Sequence, residues 1–130
     1  MSVILGYDGR PGTRGALDFA VKYARMAKAP LYVYSSVVSE EMIEHEGEMA
    51  KLREHAREAE SVAREAGVET VHVVIEPGHA AENILAAATR FKCDVIVVGK
   101  SNKTIIDRAI LGSVSQHVVN HAKCPVVVVH

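Results

Sequence analysis

Neither sign of charge is in surplus: 15 Lys and Arg face 16 Asp and Glu, for a formal net charge of −1. A balance this even cannot hold a phosphate backbone by bulk electrostatics, so nucleic acid is not an expected partner. Long apolar runs are missing as well. The longest aliphatic stretches, Val95 to Val98 and Pro125 to Val129, fall far short of the ~20 residues that a membrane helix needs, so no membrane association is expected. Met1 to Leu5 is apolar, but it has no basic leader and Asp8 follows too soon for a signal-peptide core. The expected location is the cytoplasm. Cysteine is scarce, and the two present, Cys93 and Cys124, form no CxxC and no paired His/Cys ligand spacing, which suits a reducing compartment. Internal repeats, linkers and low-complexity segments are lacking. At roughly 100 to 200 residues per domain, the 130 residues are expected to form one domain spanning 1–130.

What the chain does contain is alternation. Val3, Ile4, Leu5 and Tyr7 form a β-rich run closed by Gly6, Asp8, Gly9, Pro11 and Gly12. From Thr13, a plausible N-cap, Ala16, Leu17, Ala20, Val21, Ala24 and Ala27 recur at helical spacing up to Pro30. Leu31 to Val38 reads as a second strand. Leu52, Ala56, Ala59, Ala63 and Ala66 mark a long charged helix that Gly67 ends, with Glu60 and Arg64 as a favourable pair four residues apart. Residues 39 to 48 are acidic and read either as a loop over a site or as first turns of that helix. Val68 to Ile75 alternates as a third strand before Glu76, Pro77 and Gly78; Ala81, Ile84, Leu85 and Ala88 make a third helical stripe. Asp94 to Val98, nearly all aliphatic, reads as a central strand buried on both faces. Leu111, Val114, Val118 and Ala122 mark helix four, and Pro125 to Val129 the last strand. Five strands and four helices in strict βα order predict an α/β fold, an open parallel five-stranded sheet with helices on both faces.

In such a sheet, ligands sit outside the carboxyl ends of the strands where strand order reverses. The loop after strand one carries Asp8 to Gly12, and the loop after strand four carries Gly99, Lys100, Ser101, Asn102 and Lys103. Gly112 and Ser113 lie at or near the start of helix four, where free N–H groups and the helix dipole favour an anion. These residues read equally as a phosphate cradle or as ordinary turn chemistry.

The run GKSNKTIIDRAILGSVS from Gly99 to Ser115, followed by Cys124 and Pro125 to Val129, resembles the carboxyl-terminal signature of the universal stress protein family: Gly, two residues, Gly, nine residues, then Gly and Ser or Thr. The opening Val3 to Gly9 is similar to the family's first strand, whose Asp lies over the nucleotide. The resemblance implies a strand order of 3-2-1-4-5, frequent homodimers, a role in stress survival without an established reaction, and, in one branch, adenine-nucleotide binding. ATP or AMP is the implied cofactor, with magnesium as its companion ion. The same resemblance places Gly99 against ribose and phosphates, Gly112 and Ser113 on phosphate, Val114 and Ser115 in support of that turn, Asp8 near the adenosine, and the backbone of Ser36 beside adenine. One position departs: the signature's second glycine is Asn102 here, and Ser101 stands where the family often has a basic residue. Asn tolerates left-handed backbone better than most residues, so the turn is expected to survive, but its side chain stands where the signature has bare backbone.

Other residues support weaker readings. His117 and His121, four apart, share a helix face without a third metal ligand beside them. Cys93 and Cys124 precede strands four and five and read as reduced core thiols. A phospho-acceptor receiver domain would need an acidic pair after strand one and an Asp ending strand three, and neither is present. Asp8 could orient a metal or water for slow hydrolysis, yet no Ser-His-Asp set, paired catalytic carboxylates or Walker lysine accompanies it. The expected function is an adenine-nucleotide-binding stress or signalling module, dimeric through its last strand. The alternative is a nucleotide-free dimeric scaffold that lost the cradle through Asn102.

Overall fold

The computed structural model describes residues 1–37, 46–100 and 113–130. Its elements are β1 (Val3–Gly6), a 3-10 turn (Pro11–Thr13), α1 (Arg14–Ala27), β2 (Leu31–Val37), α2 (Glu46–Glu65), β3 (Val71–Pro77), α3 (Ala80–Arg90), β4 (Val95–Gly99), α4 (Ser113–His121) and β5 (Val126–Val129). The five strands form one parallel sheet in the order β3-β2-β1-β4-β5.

Strand alternation divides the core into two layers. Val3, Leu5, Leu31, Val33, Val95 and Val97 point to one face and pack on Ala16, Leu17 and Ala20 of α1 and on Ala59 and Ala63 of α2. Ile4, Tyr34, Ile96 and Val98 point to the other and meet Ile84, Ala87 and Ala88 of α3 and Val118 of α4. Most of the side chains of β1 and β4 are buried on both sides, which is why those strands read as continuous aliphatic runs. Each such Val, Leu or Ile contributes about 1.5–3 kcal/mol by leaving water. Small alanines along the inner stripes of α1 and α2 let those helices lie close to the sheet. Among the described residues, no helix is long and apolar enough to cross a membrane.

Two strand boundaries lie two residues or more from the sequence reading. The third strand begins at Val71, not Val68, because the end of α2 captures Val68: its N–H donates to the Ala63 carbonyl at 3.0 Å, while the Gly67 N–H donates to Arg64 at 3.1 Å. This paired closure needs left-handed backbone at its turn, which Gly67 supplies with φ +102°. Conversely β3 runs through Glu76 and Pro77. β3 is an edge strand, where a residue without an N–H is tolerated. Residues 46 to 48 belong to α2, so that part of the ambiguous stretch is helix; Val38 and residues 39 to 45 lie outside the described residues. Arg64 and Glu60 pair at 3.3 Å, as their spacing predicts.

Candidate functional site

β1 feeds a crossover to β2 on one side, while β4 leads to β5 on the other, so the reversal of strand order lies between the carboxyl ends of β1 and β4. A cleft of about 370 Å³ opens there, within the usual range for small-molecule sites, roughly 300–1,000 Å³. It is lined from four directions: by Gly6, Tyr7, Asp8, Arg10 and Thr13 after β1, by Tyr34, Ser35 and Ser36 of β2, by Val98, Gly99 and Lys100 at the end of β4, and by Ser113, Val114 and Ser115 of α4, with Ala80 and Ile84 of α3 behind.

Six of the eight residues picked out in the sequence thus share one cleft: Asp8, Ser36, Gly99, Ser113, Val114 and Ser115. The other two, Asn102 and Gly112, lie outside the described residues. Ser115 is buried, whereas Ser113 and Val114 are exposed at the first turn of α4, where backbone N–H groups lack helical acceptors.

Gly99 has a structural reason for lacking a side chain. A Cβ at this position would stand 2.8 Å from the Gly12 carbonyl oxygen and 3.3 Å from Thr13 Cα, so the loop after β1 closes directly onto the end of β4. Gly9 is constrained twice: its φ is +80°, and a Cβ would overlap the His55 ring of α2. Both loops are therefore held by contacts between distant segments.

Asp8 organises the first loop. Its Oδ1 accepts from the Arg10 N–H at 2.9 Å and from Thr13 Oγ1 at 3.2 Å, and its Oδ2 lies 3.5 Å from Arg10 Nε. Thr13 does stand at the N-cap of α1, but its hydroxyl makes no capping bond; it turns back to Asp8 and to the Arg10 carbonyl at 2.8 Å. A hydroxyl has one hydrogen, so these acceptors share it. Asp8 is both the loop carboxylate and part of the cleft wall.

The β2 wall is braced from β3 and α3. Tyr34 Oη donates to Glu76 Oε1 at 2.9 Å, and Arg90 grips the same carboxylate with two N–H groups at 2.6 and 3.1 Å. Arg90 also lies 4.5 Å above the Phe91 ring, which stacks on Tyr32. Arg90's hydrogen bonds, then Tyr34's, hold the Glu76 carboxyl below its ordinary value. Burial, then the bond to Glu76, raises the Tyr34 hydroxyl, and the nearby Ser36 hydroxyl opposes the rise without making a hydrogen bond of good geometry. Ser35 donates to the Tyr7 carbonyl, tying β2 to the start of the first loop.

Sequence reasoning did not assign Arg10, Thr13, Tyr34 or Lys100 to the site. Arg10 and Lys100 were visible as charges in the two loops; a tyrosine at the polar end of an aliphatic strand was the remaining signal. At the opposite ends of the strands, a second cavity of about 420 Å³ is lined by Leu85, Ile96 and His121 and by the free thiols of Cys93 and Cys124. The His117 and His121 rings stack at 4.2 Å, and His121 Nδ1 is 2.9 Å from the His117 carbonyl.

Comparison with known proteins supplies the context. The universal stress protein family model matches residues 1–130. A universal stress protein of Thermus aquaticus is 33% identical, the match covering 98% of this chain and 97% of that protein. One from Methanocaldococcus jannaschii is 30% identical, covering 98% of this chain and 80% of its own. Among solved structures, a universal stress protein from Archaeoglobus fulgidus superposes with a TM-score of 0.86 at 23% identity, covering 100% of this chain and 98% of that one, a likeness of fold. A universal stress protein in complex with cAMP superposes with a TM-score of 0.79 at 25% identity, covering 100% and 96%.

Proposed function

The chain belongs to the universal stress protein family, and on that premise we propose that it is a stress-response or signalling module that binds an adenine nucleotide, ATP or AMP, in the cleft between the loops after β1 and β4. The observation that carries this reading is the convergence of Asp8, Ser36, Gly99 and Ser113 to Ser115, drawn from β1, β2, β4 and α4, on one cleft at the switch point of the sheet. The cAMP complex of a structural relative is in keeping with it. In this reading the backbone at Ser36 faces the base, Asp8 lies by the sugar, and phosphate rests on the first turn of α4 at Ser113, with Val114 and Ser115 holding that turn; Gly112 and Asn102 are assigned to phosphate by the family signature alone. Free N–H groups and the positive end of the α4 dipole supply the attraction.

The described residues do not fit a magnesium ion held by the protein. Asp8 is the one carboxylate among the described lining residues, and Arg10 and Thr13 already engage its oxygens. The same engagement leaves Asp8 poorly placed to activate water, so the proposed role is binding rather than turnover.

The acting form proposed is a homodimer joined through β5. The Ile96 N–H bonds the Pro125 carbonyl and the Lys100 N–H bonds the Val129 carbonyl, so Pro125, Val127 and Val129 face β4. By alternation Val126 and Val128 direct their N–H and C=O groups away from the sheet, at an uncharged edge open to a second copy.

Titration calorimetry with ATP tests the binding claim on the wild type and on Ser113→Asp. Aspartate suits a helix N-terminus and leaves folding intact or improved, but it sets a negative charge where phosphate should rest. Binding by the wild type and a loss of at least about tenfold in the variant are expected, since charge-assisted hydrogen bonds are worth ~1.5–3 kcal/mol. No heat from the wild type, or equal heats from both, would reject the reading and leave the nucleotide-free scaffold.

A further inference from the structure

Two polar atoms in the cleft are fully enclosed and have no hydrogen-bond partner among the described residues: Ser36 Oγ and Lys100 Nζ. An enclosed ammonium without a counter-charge is unfavourable, because it has given up its hydration and received nothing in return. The other charges of the lining are matched, Asp8 with Arg10. Arg10 and Lys100 against Asp8 therefore leave one positive charge in surplus on the described lining, and it resides on Lys100.

The position of Lys100 follows from the sheet. Its N–H donates to the Val129 carbonyl at 2.8 Å, and Gly99 is in register with Val129, so the backbone here is fixed between β4 and β5. Gly99 turns its missing side chain toward Gly12 and Thr13 on the α1 side. Alternation then sends Lys100 to the side of Val98, the face that α3 and α4 cover. The first turn of α4 at Ser113 borders the same cleft and carries the same sign of charge. Two positive features converge on one cleft whose single described carboxylate, Asp8, is already paired with Arg10. Ser36 lies on β2, two strands from β4 in the order of the sheet, so it marks the far end of the cleft, roughly 10 Å away at ~4.8 Å per strand.

We infer that Lys100 is the residue by which this cleft selects phosphorylated over unphosphorylated ligands, the ligand's phosphate being the counter-charge that the enclosed ammonium lacks. The identity of the rest of the ligand rests on the nucleotide reading above; the anion requirement rests on Lys100 alone. Binding of a phosphate removes the penalty of the unpaired charge and adds a charge-assisted bond.

The experiment compares wild type, Lys100→Met and Lys100→Arg, each confirmed as folded by circular dichroism, with ATP, AMP, adenosine and inorganic tripolyphosphate as probes. The wild type should bind ATP and AMP more tightly than adenosine. Lys100→Met should weaken the phosphorylated ligands by about tenfold to a hundredfold while changing adenosine by less than about twofold. Lys100→Arg should recover most of that loss, and tripolyphosphate should raise the melting temperature of the wild type but not of Lys100→Met. Equal affinity of the wild type for adenosine and ATP, or an unchanged ratio in Lys100→Met, overturns the inference and leaves nucleotide binding standing. Tripolyphosphate bound through Lys100 without any binding of ATP or adenosine supports the inference and removes the nucleotide reading. Binding of none of the probes rejects both. Should Lys100→Met not fold, ammonium-detected NMR of the wild type decides: the Lys100 Nζ resonance must move on addition of tripolyphosphate, and a stationary resonance rejects the role.

Discussion

Gly99→Ala should destabilise this protein before any ligand is added. The new Cβ would lie 2.8 Å from the Gly12 carbonyl oxygen, 3.3 Å from Thr13 Cα and 3.4 Å from Thr13 Cγ2. The two nearest atoms are backbone, so no rotamer change clears the collision, and the loop after β1 must lift from the end of β4. Backbone angles contribute nothing, since Gly99 is not among the positive-φ glycines. Overpacking of this kind costs ~1–3 kcal/mol. For a chain of this size that corresponds to a melting temperature lower by roughly 4–12 °C. The assay is a thermal or urea melt of nucleotide-free protein, with Gly15→Ala as control. Gly15 lies in α1, and its added Cβ would meet only the Val129 side chain, at 3.3 Å, with the next atom at 3.7 Å. Helix propensity there favours alanine by about 1 kcal/mol, so the control should be neutral or stabilising. If glycine were required at 99 only to admit phosphate, Gly99→Ala would melt with the wild type and lose binding alone. An unchanged nucleotide-free melt would refute the steric account.

Three further outcomes are expected. Glu76 is held below its ordinary value of 4.5 by Arg90 and then Tyr34, so its stabilising contribution is complete above the unfolded value and is lost as pH falls through the lower folded one. In urea melts, the advantage of wild type over Glu76→Gln should therefore be largest near neutrality and shrink below pH 4.5; an advantage that grew in acid would contradict the pairing. Val128→Pro removes an outward N–H from β5 without touching the bonds to β4, and should turn a dimer in light scattering into a folded monomer; a variant that stays dimeric moves the interface elsewhere. Burial, more than its charged neighbours, pushes the Cys93 thiol up to about 11, and burial also raises Cys124, which is less enclosed. Iodoacetamide at pH ~8 should then label Cys124 before Cys93, and mass spectrometry showing equal or reversed rates would count against that order.

Much of the architecture is written in neighbouring residues. The stripe from Ala16 to Ala24 specifies α1, the aliphatic run of β4 specifies a strand buried on both faces, and their alternation specifies a parallel sheet, because side-chain periodicity and turn chemistry act over a few positions. Strand boundaries were less legible where two elements compete for one residue. Val68 has a strand's side chain, but its N–H is taken by Ala63 to close α2. The candidate site residues were found through a signature whose glycines look alike in sequence; the structure distinguishes them. Gly99 lacks a side chain because Gly12, from a distant loop, occupies that space. Tyr34 is braced by a carboxylate 42 positions away, which no local pattern encodes. Lys100 was one charge among several in a polar loop. Sequence alone determined the elements, their order of alternation and the loops where a ligand would sit, since these follow from short-range spacing. Only the tertiary structure decided which glycine is steric, which carboxylate is already engaged and which ammonium has no partner among the described residues, because each depends on atoms that chain folding brings within a few ångströms.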